Sequence, residues 1–429
     1  MAGSAVSLPA YVRLVRKNRN FRRLWLAQII SEMGDWIYAI AIYTLLLELT
    51  RSAASVALAV VLQVLPQFFV APTAGVLNDR LSRKRIMIAA DLARASIVLG
   101  MLFVSRAQMV PLVYLLLLLE TTMWAFFEPG RSAIVPNITD GEDLVAANTL
   151  SSMTWSFNLA LGSGIGGAIA AFFGRDTVFV LNSLSFVISA SLIWGMKFPE
   201  PHLDGAKPLR ARDLVDFSPI AEGVRYVAKE RRLFSLMLVK AGLGLLGTHL
   251  VLLPLFGERI FSIRSAGASS GGMLGMSVLM SARGVGALLG PVVGGYWTGR
   301  EQYRLRMGIL IGFITAAAGY LALAASPSLA IASASVVIAN AGTSMVWVFS
   351  TTLLQIHTDD RFRGRVFSAD FAFLVVTMSL SSYGAGLLVD WGVGLRLLAA
   401  ATGLAAFIPL AAWATAQRLW RVDSERALS

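Results

Sequence analysis

Gly75-Val76-Leu77-Asn78-Asp79-Arg80-Leu81-Ser82-Arg83-Lys84-Arg85 joins two apolar runs, 53 to 77 and 86 to 105, and the reading of this stretch decides the fold. A bilayer is crossed by about 20 predominantly apolar residues in a helix, and each run is long enough. The turn between them is too short for a domain and sets one acid among four bases. Two spanning helices joined by a short basic turn are therefore the unit from which the chain is built.

The rest of the sequence repeats that unit. Of the 429 residues, 56% are hydrophobic and 14% are charged, against about 25% charged in a soluble domain, and the mean hydropathy is +0.68. Further apolar runs lie at about 24 to 49, 110 to 129, 143 to 173, 176 to 196, 233 to 257, 270 to 298, 305 to 325, 329 to 353, 365 to 389 and 393 to 416, making twelve in all. The expected fold is all-α and integral to the membrane. Twelve helices leave room for short loops and one longer connection, which excludes a separate soluble catalytic domain. There is no cysteine, so disulfides, thiolate metal sites and cysteine nucleophiles are excluded, and the three isolated histidines offer no metal-ligand spacing. Neither a metal nor a cofactor is expected. The first run lacks a small-residue cleavage site, so no removable signal peptide is expected either.

Lys and Arg resist transfer across the bilayer and collect on the cytoplasmic side. With both termini placed inside, the inner segments take most of these residues, from Arg13, Arg16, Lys17, Arg19, Arg22 and Arg23 at the start to Arg80, Arg83, Lys84 and Arg85 and then Arg131. The outer segments take Arg51, Arg106, Arg175, Arg259 and Arg264. The net charge of +12 is thus a topological signal that excludes a nucleic-acid reading and points to anionic lipid headgroups. A multi-pass protein of a bacterial inner membrane, both termini cytoplasmic, is the expectation.

One long connection, about 197 to 232, falls between six spans and six. It suggests an N-terminal bundle over 1–198, a linker over 199–232 and a C-terminal bundle over 233–429. The second part of the linker reads as a surface helix with Ser218 as N-cap, Pro219 at the first helical position and Ile220, Val224 and Val227 on one face. A shift of 220 residues places Gly75 on Gly295, Arg80 on Arg300, Lys84 on Arg304, Gly164 on Gly384 and Gly166 on Gly386, and a shift nearer 210 places Gly34 on Gly244. Matching order and topology read as a repeat, two bundles related by a pseudo-two-fold axis.

The stretch from Gly75 to Arg85 resembles the signature loop of the major facilitator superfamily, Gly-x-x-x-Asp-Arg/Lys-x-Gly-Arg/Lys-Arg/Lys, with Ser82 at the second glycine position. Twelve spans and a central linker agree with that family. Two further stretches, Phe127 to Pro136 and Ala147-Asn148-Thr149-Leu150, resemble its macrolide-efflux and siderophore-exporter-like branch. The resemblance implies that Gly75, Asp79, Arg80, Arg83 and Lys84 form an inner gate. Physically, Gly75 permits close helix approach, while Asp79 can pair with Arg83 one turn later and face the N-terminal end of a neighbouring helix. In the second half the Asp position is Gly299, so only the first half can make this latch.

Asn158 to Gly167 in span five resembles the superfamily's antiporter motif, Gly-x-x-x-Gly-Pro-x-x-Gly-Gly, but departs from it at Asn158 and Ser163. The full pattern, Gly286 to Gly295, stands in span eight. An antiporter role is one reading of these runs, and small residues that let helices pack, with a proline that bends one, are the other.

Charges within the apolar runs are costly, about 2.5 to 3.5 kcal/mol each near mid-bilayer, so each should face a partner or a cavity. Glu32 and Asp35 share a stripe of span one with Gln28, and Glu120, Trp124 and Glu128 make a second stripe along span four. The second half holds Lys240 and His249 in span seven, Arg283 in span eight and Asp370 in span eleven. The resemblance places spans one, four, seven and ten around the cavity, which puts Asp35, Glu120, Lys240 and His249 near the pathway; Asp35, Glu120 and His249, with Glu32 on the stripe of span one and Asp370 of span eleven, are candidates for proton coupling or substrate binding. Lys240 and Arg283 are candidates for charge pairs, Arg283 with Glu32 or Asp35. Fixed pairs within one half, such as Asp91 with Arg94, are the alternative, and His249 can equally be a packed hydrogen-bonder. Glu48 and Asp390 fall at span ends, where they mark the outer interface. Trp36, Tyr38, Trp124 and Trp347 are candidates for a pocket that takes a large amphipathic compound.

No ATP-binding loop and no hydrolytic constellation occurs. The expectation is a monomeric secondary active transporter, not an enzyme, that exports a hydrophobic or amphipathic small molecule in exchange for protons by alternating access. A role in multidrug resistance follows from that reading. Uptake by symport, lipid or lysophospholipid translocation, and a non-transporting membrane scaffold are the alternatives.

Overall fold

A computed structural model describes residues 8–139, 141–204, 217–263, 271–298, 301–359 and 362–426. Among these residues the regular structure is helical throughout. In order the helices are α1 (Leu8–Lys17), α2 (Arg19–Thr50), α3 (Ala53–Arg80), α4 (Arg83–Leu99), α5 (Val110–Ile138), α6 (Gly141–Phe173), α7 (Arg175–Trp194), α8 (Ser218–Lys229), α9 (Arg231–Leu245), α10 (His249–Leu255), α11 (Gly271–Thr298), α12 (Gln302–Ala325), α13 (Leu329–His357), α14 (Arg363–Asp390), α15 (Leu395–Ala405) and α16 (Phe407–Arg426). They supply twelve spans long and apolar enough to cross a bilayer. Arg264, Gly299, Arg300 and the linker over 205–216, all used in the sequence reading, lie outside the described residues.

Several elements differ from expectation. The fourth span does not stop at Pro129: α5 continues to Ile138 with both Pro129 and Pro136 inside it. Arg131, expected on a loop, therefore stands within a helix. The seventh span is not one helix, because Leu246–Thr248 tighten to a 3₁₀ turn between α9 and α10 and Phe256–Ile260 widen to a π turn. In the linker helix Ser218 is the first helical residue, and Phe217 holds the cap position. The buried face of α8 runs through Gly223 and Val227, while Val224 is exposed. That face is spent on protein. A Cβ on Gly223 would stand 2.1 Å from the Arg365 carbonyl oxygen, Tyr226 stacks on Phe362 at 4.4 Å, and Glu222 pairs with Arg365 at 2.6 Å.

The chain divides into two compact units, Met1–Leu45 with Phe69–Asp216, and Leu46–Phe68 with Phe217–Ser429. Besides a cut in the linker after Asp216, the division cuts α2 and α3, so residues 46–68 group with the second unit. In the first unit Leu14, Phe21, Met87, Phe127 and Ile134 form a buried core that ties α1 to α2, α4 and α5. The glycine run of span five serves packing there, since a Cβ on Gly166 would fall 2.6 Å from the Ile37 Cα. The run in span eight does the same in the second unit, where a Cβ on Gly290 would meet the Ala341 carbonyl oxygen at 2.1 Å. Gly34 closes on Asn182 and Ser185 of α7, whereas Gly244 closes on Thr377 of α14 and it is Gly242 that closes on Pro409 of the last span. Gly34 and Gly244 are thus not equivalent in packing. Gly75 also departs from expectation: among the described residues nothing lies within 4 Å of the Cβ it lacks.

Asp390 does more than mark an interface. Its carboxylate accepts from the backbone N–H groups of Ala53 at 2.7 Å and Ala54 at 3.0 Å and from the Ser52 hydroxyl, so it caps α3 from the end of α14. The turn it captures includes Arg51 at φ 56°, a left-handed residue that costs backbone strain and needs such support. Asp390→Ala should remove the cap and destabilise the protein by about 1 kcal/mol, and Asp390→Asn by less. Thermal unfolding in neutral detergent measures both, and equal midpoints for wild type and Asp390→Ala would contradict the assignment.

Candidate functional site

Two acidic stripes, one on α2 and one on α5, meet in the first unit on two arginines. The upper arginine is Arg94 of α4, 1% exposed. Its guanidinium lies 2.5 Å from Asp91, 3.6 Å from Asp35 and 3.9 Å from Glu120. The rings of Phe186 and Phe127 cover it, with its central carbon 4.1 and 5.0 Å from their centroids. Ser189 of α7 donates to the second oxygen of Asp91 at 2.6 Å. The Asp91–Arg94 pair foreseen as a local packing device is real, but two further carboxylates join it from other helices.

One guanidinium cannot neutralise three carboxylates. Asp91 is bonded twice and fully buried, which suits it to remain the fixed counter-ion. Asp35 is the accessible member, with 29% of its side chain exposed. Among the described residues one of its oxygens, and the nearby buried hydroxyl of Tyr38, have no hydrogen-bond partner. Tyr38 itself is 2% exposed and packs edge-on against Phe179 at 5.8 Å, so it is a core residue here rather than a pocket wall.

The lower arginine is Arg131. It pairs with Glu128 on its own helix and donates to the Gln28 side chain at 3.2 Å. Gln28 in turn donates to Glu32 at 2.8 Å, and Asn158 of α6 donates to the other Glu32 oxygen at 3.2 Å. Asn158, the departure from the antiporter pattern, thus supports an acid. Trp36 meets Trp155 edge-to-face at 5.7 Å on the same side of α2, and Trp124 is half-buried.

In the second unit Lys240 of α9 is 3% exposed. Its ammonium lies 3.7 Å from the centroid of Trp347, donates to Thr351 at 2.8 Å and stands 3.9 Å from Asp370. Three residues that the sequence placed in different roles therefore form one cluster. His249 opens α10 beside the helix break. Its Nδ1 bonds the Leu246 carbonyl at 2.7 Å and its ring tilts against Tyr320 at 6.4 Å. Arg283 lies within electrostatic reach of both.

The loop at 79 to 84 is built differently from a simple charge latch. Asp79 is 76% exposed and sits 3.6 Å from Arg83. Arg83 is mainly held by the carbonyls of Asn78 and Ala133, both at 3.1 Å, and Lys84 by the carbonyl of Met196 at 2.7 Å. Ser82, which replaces the family's glycine, caps α4 by accepting from the Arg85 N–H and donates to Glu200 at 2.6 Å. Arg80 is half-buried. Sequence reading missed Ser189, Thr351 and Glu200. Small polar residues in spans carry no distinguishing signal, and Asp91 and Arg94, one turn apart amid apolar residues, signalled a local pair but not the two further carboxylates.

The profile of the transmembrane secretion effector family matches residues 15–427. An uncharacterized MFS-type transporter of Bacillus subtilis, YkuC, is 30% identical over 282 residues, which is 65% of this chain and 64% of that protein, so the match spans less than two thirds of that relative. Macrolide efflux protein A of Streptococcus pyogenes is 26% identical over 223 residues, 51% of this chain and 54% of that protein. A crystal structure of a peptide transporter, POT, in complex with alafosfalin superposes with a TM-score of 0.74 at 12% identity, covering 94% of each chain, a likeness of fold alone. Twelve spans, the loop after the second of them and a profile match along almost the whole chain place this protein among the transmembrane secretion effectors of the major facilitator superfamily, a family of transporters and not of enzymes.

Proposed function

We propose that the chain is a secondary active exporter of a hydrophobic or amphipathic small molecule, working by alternating access in exchange for protons. The observation that carries this reading is the set of three carboxylates around the single buried Arg94. A surplus of acids in an apolar bundle is a place where protons are held and released, and the half-open Asp35 gives the surplus a route to water. Efflux as the direction is supported by the relative named for macrolide efflux. Lys240, poised between Asp370 and Trp347, serves as the second charge that responds to the substrate, and the Asp79 loop as the cytoplasmic gate. The working unit is a monomer in a bacterial inner membrane with both termini in the cytoplasm.

The test is transport in proteoliposomes against a panel of macrolides and lipophilic cations, with and without an imposed pH gradient. Asp35→Asn and Glu120→Gln should keep substrate counterflow but lose most gradient-driven accumulation. Full accumulation in both variants would contradict proton coupling at Arg94, and counterflow that never responds to a gradient would contradict antiport itself.

Arg94 should also be the costliest charge to remove. Arg94→Gln strands buried carboxylates and should destabilise the protein by about 3 to 5 kcal/mol. Adding Asp91→Asn should recover part of that loss, because the two effects are coupled through one contact. A double-mutant cycle on thermal unfolding in detergent reads the coupling, and simple additivity would rule it out.

A further inference from the structure

The end of the first unit that carries the Asp79 loop has a cleft of about 590 Å³ that the transport reading leaves unused. Lys17 and Arg19 reach it from the junction of α1 and α2, Asn137 from the last turn of α5, and Lys197 from the chain leaving α7. Among the described residues none of these three cations makes an ion pair. The three are exposed cations of the kind that collects on the inner side, and what marks this place is that they line one cleft together.

The walls are also tied to one another. Asn20 donates to the Lys197 carbonyl at 2.6 Å and accepts from the Lys197 N–H at 3.1 Å, which fixes that backbone in both directions. Asn18 donates to the Ile138 carbonyl at 2.6 Å and accepts from the Phe21 N–H at 2.9 Å, which fixes the break between the two helices. Among the described residues the Asn137 amide nitrogen finds no acceptor. Among the described residues the cleft is thus a held arrangement of donors and cations without an anion of its own.

From this we infer a binding site for a phosphate group. Depth assigns its source. Arg19 begins the first span, α5 ends at Ile138 and α7 at Trp194, so the cleft lies where three spans leave the apolar layer, at headgroup level. Phe198 in its wall suits the first carbons of an acyl glycerol. The ligand is the headgroup phosphate of an anionic phospholipid, held by Lys17, Arg19 and Lys197 with Asn137 as neutral donor. The size falls within the range of small-ligand sites, roughly 300 to 1,000 Å³.

The experiment uses the purified full chain in neutral detergent and follows thermal unfolding. Mixed micelles of phosphatidylglycerol, of phosphatidylcholine, and inorganic phosphate alone are the three probes. Phosphatidylglycerol should raise the midpoint and phosphatidylcholine should not. Arg19→Gln with Lys197→Gln should raise the half-saturating phosphatidylglycerol concentration several-fold, whereas the charge-matched pair Arg225→Gln with Lys229→Gln on α8 should leave it unchanged. Asn137→Asp, which places an anion in the cleft, should abolish the response. If inorganic phosphate alone protects wild type equally and the cleft variants lose that protection, the site takes phosphate but its source is the free anion and not the lipid. Equal responses to both lipids with phosphate inert, or equal losses in the cleft and control pairs, would overturn the site.

Discussion

Everything in the first unit is arranged around one constraint: a guanidinium in an apolar bundle must be matched, and Arg94 is matched more than once. Asp91 satisfies it locally from the same helix. Asp35 and Glu120 approach at longer range from α2 and α5, and two aromatic faces exclude water from the charge. A pair serving insertion alone needs only one acid. Extra carboxylates at 3.6 and 3.9 Å give the cluster more than one acceptable arrangement of charge, which is what a coupling site requires.

The rest of the molecule supports that centre by close helix packing. Glycines in α6 bring its backbone onto α2, which holds the Asp35 helix in place. Arg131, Gln28 and Asn158 fix Glu32 one turn away, so the stripe on α2 cannot rotate freely. In the second unit the same use of small residues in α11 against α13 steadies the helix that presents Trp347 and Thr351 to Lys240. Small residues supply the close contacts in both units, and the few charges are the groups to which the proposed coupling is assigned.

Much of this was legible in the sequence. Span number and the acids at 32, 35 and 120 follow from the solvent, because apolar length and the cost of buried charge are properties of single residues and runs. Partner identity is not such a property. That Asp35 and Glu120 both turn to Arg94 depends on the rotation of three helices, which periodicity leaves free. Pro129 read as the end of span four, yet α5 carries it and Pro136 inside and delivers Arg131 into the polar ladder. Gly75 read as a packing residue because its motif suggested it, while the contacts it was expected to make are absent among the described residues. The linker helix read as lipid-facing from Ile220, Val224 and Val227, although Val227 belongs with Gly223 to a side covered by protein at the start of α14, and Val224 is exposed.

The account stands or falls on whether the carboxylates around Arg94 hold an exchangeable proton. Infrared difference spectroscopy of the reconstituted protein, recorded across a pH titration, detects the carbonyl stretch of a protonated carboxyl group directly and needs no substrate. A protonated carboxyl signal should disappear as pH rises and lose intensity in Asp35→Asn and Glu120→Gln. A signal that neither substitution alters, or no titrating carboxyl signal in wild type, would contradict it.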